Sequence, residues 1–157
     1  MADVNYRLFQ PGDFEQLYAI EEVCFQAPFR FGRRLVKTLL ENPKSATWIA
    51  EENGRMTGFA IVEFTSEPEH ETAYIQTLEV LPDHRRKRIG LGLLRHLEAS
   101  AIAAGAALIW LHVDTENDAA IHLYRAEGYQ LQGRHENYYA RSRSAEVYLK
   151  PLEARAI

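Results

Sequence analysis

Residues 74–104 read YIQTLEVLPDHRRKRIGLGLLRHLEASAIAA, and the pattern of this stretch decides the fold. Its first part, Tyr74–Leu81, is strand-like: apolar, aromatic and β-branched residues with Gln76, Thr77 and Glu79 interspersed, stopped by Pro82. Its last part is helical, because Leu93, Leu94, Leu97 and Ala101 recur at the three-and-four spacing of a buried face. Between them stand Arg85, Arg86, Lys87 and Arg88, then Gly90 and Gly92. A strand, a basic glycine-containing turn and a helix make an anion site. The amides of the helix's first turn have no intrahelical acceptor, and the positive end of the dipole points at the loop. Gly90 and Gly92 carry no side chain, which lets a phosphate approach the backbone. On spacing alone, an ordinary strand–helix connection with a solvated basic run stands as an equal alternative.

Outward from this stretch the chain alternates strands and helices. Val4–Leu8 is a short first strand, and Pro11-Gly12-Asp13 opens a helix with Asp13 as N-cap. Phe14, Leu17, Tyr18 and Cys24 keep helical spacing, interrupted by Glu21. The segment Phe25–Arg34, FQAPFRFGRR, holds aromatics between two helical stretches. It reads either as loop aromatics tucked onto the core or as the wall of a substrate groove. A second helix covers Arg34–Leu40. Thr47–Glu51 and Met56–Phe64 flank Asn53-Gly54, the strongest short hairpin signal. A polar turn, Ser66–Glu71, precedes the central strand. After the central helix come a dense strand at Ala107–Val113 and a helix at Asp118–Glu127, closed by Gly128. Two last strands, Tyr129–His135 and Ala145–Leu149, are joined by a polar loop holding Tyr138 and Tyr139. The order β-α-α-β-β-β-α-β-α-β-β predicts a mixed α/β domain.

A chain of 157 residues is expected to form one domain, residues 1–157, with a sizeable core. A hydrophobic content of 46% and a charged content of 25% place it with soluble globular chains. The net charge of −4 argues against a general nucleic-acid binder, so the basic run is a local feature on an acidic body. Cys24, the one cysteine, permits no internal disulfide and fits a reducing compartment. The stretch MADVNYRLFQ has neither a cationic leader nor an apolar signal core. The longest apolar run, Ala101–Leu111, falls short of the roughly 20 residues a bilayer requires. The expectation is a cytoplasmic protein with no membrane or nucleic-acid partner. The histidines show no metal-ligand spacing, so no metal is expected.

The segment V-L-P-D-H-R-R-K-R-I-G-L-G-L-L resembles the acetyl-CoA-binding segment of the GNAT superfamily of N-acyltransferases, V-x-P-x-x-[QR]-x-x-G-x-[GA] before a helix. Arg85 takes the Gln/Arg position and Gly90 the second small position, while Arg88 stands where the family has its first glycine. N-D-A-A-I-H-L-Y-R-A-E-G-Y, Asn117–Tyr129, resembles the family's N-x-x-A-x-x-x-Y-x-x-x-G-F/Y signature. The resemblance covers nearly the whole chain and implies a GNAT-like acyl-CoA N-acyltransferase fold, a mixed central sheet flanked by helices. It implies acetyl-CoA held by Leu78, Glu79 and Val80 of the strand, by Arg85, Arg86, Lys87, Arg88, Ile89, Gly90, Leu91 and Gly92 of the loop and helix start, and by Asn117, Ala120 and Tyr124. The tail R-H-E-N-Y-Y-A-R-S-R-S-A-E-V-Y-L-K resembles the end of protein N-terminal acetyltransferases, the ribosomal-protein alanine type among them. Y-I-Q-T-L and L-H-V, with the aromatic/proline loop, match the members of that group that act on nascent chains. In that branch the tyrosine and histidine of these motifs are the catalytic pair, which points to Tyr74 and His112.

The chemistry is compatible with that implication. Acetyl transfer requires a neutral amine, a polarised thioester carbonyl and an acid for the leaving thiolate. Histidine is base enough for an α-amine and poorly matched to lysine. His112 shares a strand face with Trp110 and Leu108, and by alternation Tyr74 shares one with Gln76 and Leu78. Tyr124 is the candidate proton donor to sulfur. His112 also reads as a hydrogen-bonded core residue, and Glu79 is a rival base whose parity opposes Tyr74 unless a bulge re-aims it. Cys24 is expected away from both motifs, against a covalent acetyl-cysteine route. Phe25, Pro28, Phe29, Phe31, Tyr138 and Tyr139 are the expected acceptor groove. The acceptor expected is a protein or peptide N-terminus, a ribosomal protein included. The alternatives are a small amine (amino acid, polyamine or antibiotic) and a non-catalytic acetyl-CoA-binding module.

Overall fold

The computed structural model describes residues 3–67 and 70–152. In chain order these form β1 (Val4–Leu8), α1 (Phe14–Cys24), α2 (Arg33–Glu41), β2 (Ser45–Glu52), β3 (Arg55–Ser66), β4 (Glu71–Val80), α3 (Ile89–Ala103), β5 (Leu108–Asp114), α4 (Asp118–Ala126), β6 (Gln130–Ala140) and β7 (Arg143–Pro151). The strands make one sheet in the order β1-β2-β3-β4-β5-β7-β6. All neighbours are antiparallel except β4 and β5, which run parallel through the α3 crossover. The Asn53-Gly54 turn closes the β2–β3 hairpin, with both residues at positive φ.

Two cores sandwich the sheet. On one face Leu93, Leu94, Leu97 and Ala101 of α3 pack on Ala60, Val62, Ile75, Ile109 and Leu111, with Tyr124 of α4 beside them. On the other, Phe14, Leu17 and Tyr18 of α1 and Val36 and Leu39 of α2 cover Ile49, Phe59 and Ile61. Each fully buried aliphatic side chain contributes roughly 1.5–3 kcal/mol by leaving water.

Several local expectations change. Asp13 does not cap α1 with its side chain: its carboxylate takes two bonds of 2.8 Å from Arg7 and one of 2.7 Å from the Gln10 amide, the latter closing a capping box on the short 3-10 turn that precedes α1. β4 begins at Glu71, so the expected polar turn shrinks, and positions 68–69 of it lie outside the described residues. Tyr138 and Tyr139 are not in a loop. β6 continues through them beyond a register shift at 135–140, and Ala140 pairs with Arg143 across a two-residue turn.

The largest change is in β4. Ile61 pairs with Thr77 but Val62 with Ile75, so Gln76 is an extra residue, a β-bulge. Before it, Ala73 and Ile75 face the α3 core; after it, Leu78 and Val80 do. The bulge therefore corrects the alternation rule: Leu78 turns away from the face of Tyr74, and Thr77 and Glu79 join it. Phe59 and Ile61, opposite Glu79 and Thr77, belong to the α1–α2 core, which fixes that assignment.

Candidate active site

β4 and β5 pair only at Thr72–Leu108, Ala73–Ile109 and Tyr74–Trp110. Beyond Tyr74 the bulge re-aims β4 while β5 stays paired with β7, and the sheet splits. The opening is a cavity of about 370 Å³. Ile75–Leu78 form one wall, Leu111–Asp114 the other, and Asn117, Ala120 and Tyr124 of α4 line it as well. Past Tyr74 the β5-facing edge of β4 has no strand partner. An unpaired edge inside a sheet offers amides and carbonyls to a chain laid along it.

At the vertex sit Tyr74 and His112. Tyr74 Oη lies 2.8 Å from His112 Nδ1, and Trp110 packs edge-on against Tyr74 with ring centroids 4.6 Å apart. Tyr138 stacks on the His112 ring at 4.2 Å and 6°. His112 Nε2 lies 2.9 Å from His135 Nδ1. Desolvation, then the neighbouring His135, hold the His112 pKa below the ordinary histidine value, so the ring stays neutral and basic. Burial pushes the Tyr74 phenol far above its usual range, which keeps it protonated.

One side of the opening is the α1–α2 loop. Phe25, Phe29 and Phe31 line the cavity, and Tyr139 meets Phe29 edge-on at 4.8 Å. Arg143 covers the Phe29 ring at 4.9 Å while pairing with Asp114 at 2.8 Å and Glu116 at 3.3 Å, which ties the loop to the β6–β7 hairpin. Pro28 is exposed, after a cis peptide bond, and lies outside the cavity lining. Tyr138 covers His112 rather than the cavity.

At the far end, α3 begins at Ile89 with no side-chain cap, and its first helical bond runs from the Gly92 amide to the Arg88 carbonyl. The amides of Ile89, Gly90 and Leu91 are left for an acceptor outside the helix. Arg86 and Arg88 hold left-handed backbone, with φ of 67° and 63°. Their side chains are exposed. Arg85 and Lys87 are also exposed but are tied down by polar contacts: Arg85 Nε donates to the Val80 carbonyl at 3.0 Å, and Lys87 Nζ reaches Glu52 at 3.4 Å. The Ile89 side chain is core, with only its backbone at the loop. Gly92 has a packing reason to be small as well: a side chain there would collide with the Tyr6 hydroxyl and ring, so its size admits β1.

Asn117 is the N-cap of α4, its Oδ1 accepting the Ala120 amide at 3.2 Å, and both residues line the cavity. The Tyr124 ring lines it too, and burial raises its phenol well above the usual range. Cys24 is close to the loop, not away from it. Its Sγ sits 3.5 Å from the Val80 carbonyl and 3.8 Å from Arg85 Nη2. Burial, chiefly, pushes its thiol up to about 11, which leaves it protonated and a poor nucleophile. Glu79 is buried, bonded to Thr77 Oγ1 at 2.6 Å and set against Glu21, and does not line the cavity.

The residues that pattern reading passed over are Glu21, His135 and Arg143. Glu21 was signalled as a charge interrupting the apolar stripe of α1. His135 and Arg143 gave no signal, since a strand pairing across β7 is what brings them to the site.

A mixed sheet split between β4 and β5, with an aromatic groove at the vertex of the split and an uncapped, basic helix start after β4, makes an α/β domain with an open site between its central strands. The chain belongs to the Acetyltransferase (GNAT) family, whose model matches residues 14–129. It is 38% identical over 94 residues to streptothricin acetyltransferase of Streptomyces lavendulae, covering 59% of this chain and 49% of that protein. It is 35% identical over 88 residues to the [ribosomal protein bS18]-alanine N-acetyltransferase of Escherichia coli (strain K12), covering 56% and 57%. These matches span about half the length of either curated relative. The structure of Arabidopsis thaliana Naa50 in complex with the bisubstrate analogue CoA-Ac-MVNAL superposes with a TM-score of 0.81 at 25% identity, covering 94% of this chain and 97% of that one.

Proposed function

We propose that the protein transfers acetyl from acetyl-CoA to the N-terminal α-amine of a protein or peptide, by direct attack in a ternary complex. The observation that carries this reading is the Tyr74–His112 pair at the vertex of the split, 2.8 Å apart, between the cavity and an aromatic groove. The site suits the cofactor. The uncapped amides of Ile89, Gly90 and Leu91 with the exposed Arg86 and Arg88 suit a pyrophosphate. The unpaired edge of β4 and the apolar walls suit a thin amide-bearing arm that carries a thioester to the vertex.

His112 then accepts the amine proton through the Tyr74 hydroxyl or a water. An α-amine of pKa ~7.8 is about a quarter neutral near pH 7.4, against ~0.1% for a lysine of ~10.4, so a neutral imidazole suffices for the former. Tyr124, held protonated, steadies the developing charge on sulfur by donating a hydrogen bond. Glu79, buried beside a second carboxyl and outside the cavity lining, is poorly placed to be the base. The relative that acts on a ribosomal protein alanine supports the acceptor class, and the single cysteine suits a cytoplasmic setting. A small-amine acceptor is the second reading, favoured by the 38% identity to streptothricin acetyltransferase.

The test is acetyl-CoA turnover against free-amine peptides, N-blocked lysine peptides and a panel of small amines. We expect turnover of free N-termini, reduced about 100-fold or more in His112→Ala and at least about tenfold in Tyr74→Phe, as fits a proton-transfer pair. Turnover of small amines alone would install the second reading. Binding of acetyl-CoA with no turnover of any amine would leave a non-catalytic module.

A further inference from the structure

We infer that His135 is the outlet of a proton path that runs from Tyr74 through His112 to water. The inference rests on the reading of Tyr74 and His112 above. An acceptor that arrives neutral loses one proton, which the thiol takes. One that arrives as the α-ammonium, about three quarters of the α-amine near pH 7.4, loses two protons on becoming an amide: one ends on the departing thiol and the other must reach solvent. The groove walls stand against that second transfer, since His112 is roofed by the stacked Tyr138 ring and flanked by Trp110. One polar contact leads outward. His112 Nε2 lies 2.9 Å from His135 Nδ1, and His135 is exposed on the edge strand β6.

The chain of atoms is continuous. With the Tyr74 hydroxyl donating to His112 Nδ1, neutral His112 carries its hydrogen on Nε2 and donates to His135 Nδ1. His135 then holds its own hydrogen on Nε2. As the acceptor N–H bond breaks, its proton lands on Tyr74 Oη, and the Tyr74 hydroxyl proton passes to His112 Nδ1. The His112 Nε2 proton moves to His135 Nδ1, and the His135 Nε2 proton leaves to water. No oxidant or further reactant enters, and no full charge rests on the buried phenol.

The surroundings suit an imidazole carrier. Tyr74 faces the pair from β4, and Tyr138 lies over both rings from β6. The β7 residues paired with His112 and His135 are Val147 and Ala145, which carry no charge. Asp114, two residues along β5, is occupied by Arg143. The proton is therefore not captured by a carboxylate on the way out. A second imidazole beside the first also disfavours charge on His112, which returns that ring to its basic form.

The experiment measures kcat and KM on the best amine substrate from pH 6 to 8, in dilute buffer free of imidazole and then with imidazole added. We expect His135→Ala and His135→Gln alike to lower kcat by roughly tenfold, short of the loss in His112→Ala, while both KM values stay within about twofold. Added imidazole restores kcat in both His135 variants and leaves His112→Ala unchanged. Glutamine keeps a hydrogen bond to His112 but carries no proton, so full activity in His135→Gln overturns the path, as does a loss that imidazole leaves in place. An undiminished His112→Ala overturns the base assignment itself, and the path with it.

Discussion

Glu21 sits in the apolar stripe of α1 and is buried to 1% exposure, which only a specific use of its carboxylate explains. Oε2 accepts the Phe31 amide at 3.0 Å and so holds the aromatic loop to the helix. Its Oε1, like Oε1 of the equally buried Glu79, has no partner among the described residues unless the two share a proton. Desolvation first, then Glu21, raises the Glu79 pKa well above the carboxylate range. The stability of that protonated pairing is fully present below the unfolded value of about 4.3 and is lost as pH rises through the raised folded value. Glu79→Gln supplies the bridging hydrogen without a proton to lose. It is predicted to melt above the wild type, by a margin that widens from pH 5 to pH 8 in calorimetry. A constant or inverted margin would show that the two carboxyls do not share a proton.

At the scale of the element, the start of α3 is the strained part of the site. Arg88, its N-cap, holds φ of 63°, and Arg86 holds 67°. Left-handed backbone costs a side-chain-bearing residue roughly 1–2 kcal/mol, which glycine avoids at an unfolded-state entropy cost of roughly 0.5–1. That is the physical reason for a glycine at this place in the motif Arg88 departs from. Arg88→Gly is predicted to gain roughly 0.5–1 kcal/mol in urea unfolding, whereas Arg88→Ala, still left-handed, gains nothing. Equal stability of the two variants would place the strain elsewhere. The gain has an opposing electrostatic side, since Arg88 is one of the exposed cations of the proposed pyrophosphate loop.

For the whole molecule, the consequence of the split is that a ligand in it would bridge two halves of one sheet. β1 to β4 lie on one side, β5 to β7 on the other, and beyond Tyr74–Trp110 no ladder joins them. A ligand that binds only the folded form adds about 2.7 kcal/mol of stability at 100 times its Kd. For a chain of 157 residues each kcal/mol raises Tm by roughly 2–4 °C. Acetyl-CoA at that excess is therefore predicted to raise Tm by about 5–10 °C in a thermal-shift measurement. S-Acetylpantetheine, which keeps the thioester arm and lacks the pyrophosphate, should give a fraction of that shift. No shift at saturating acetyl-CoA would remove the loop and the split as its site.

What the sequence alone determined is local and periodic. The strand–turn–helix of residues 74–104, the Asn53-Gly54 hairpin and the element order were all legible, because they rest on apolar spacing, turn chemistry and capping within a few residues. The motif residues Tyr74, His112, Asn117 and Tyr124 were legible one by one only through the resemblance of their short motifs to those of the family. Their meeting was decided by the tertiary structure. The bulge at Gln76 reverses the parity of β4, turns Leu78 away from Tyr74 and re-aims the strand from β5. Pattern reading assumes unbroken alternation, and a bulge is set by pairing with a distant strand. In the same way Gly92 is small for Tyr6, 86 residues away, Cys24 lies against the loop end at Val80, and His135 reaches His112 across β7. Those contacts depend on side chains that only the packed sheet and its two cores bring together.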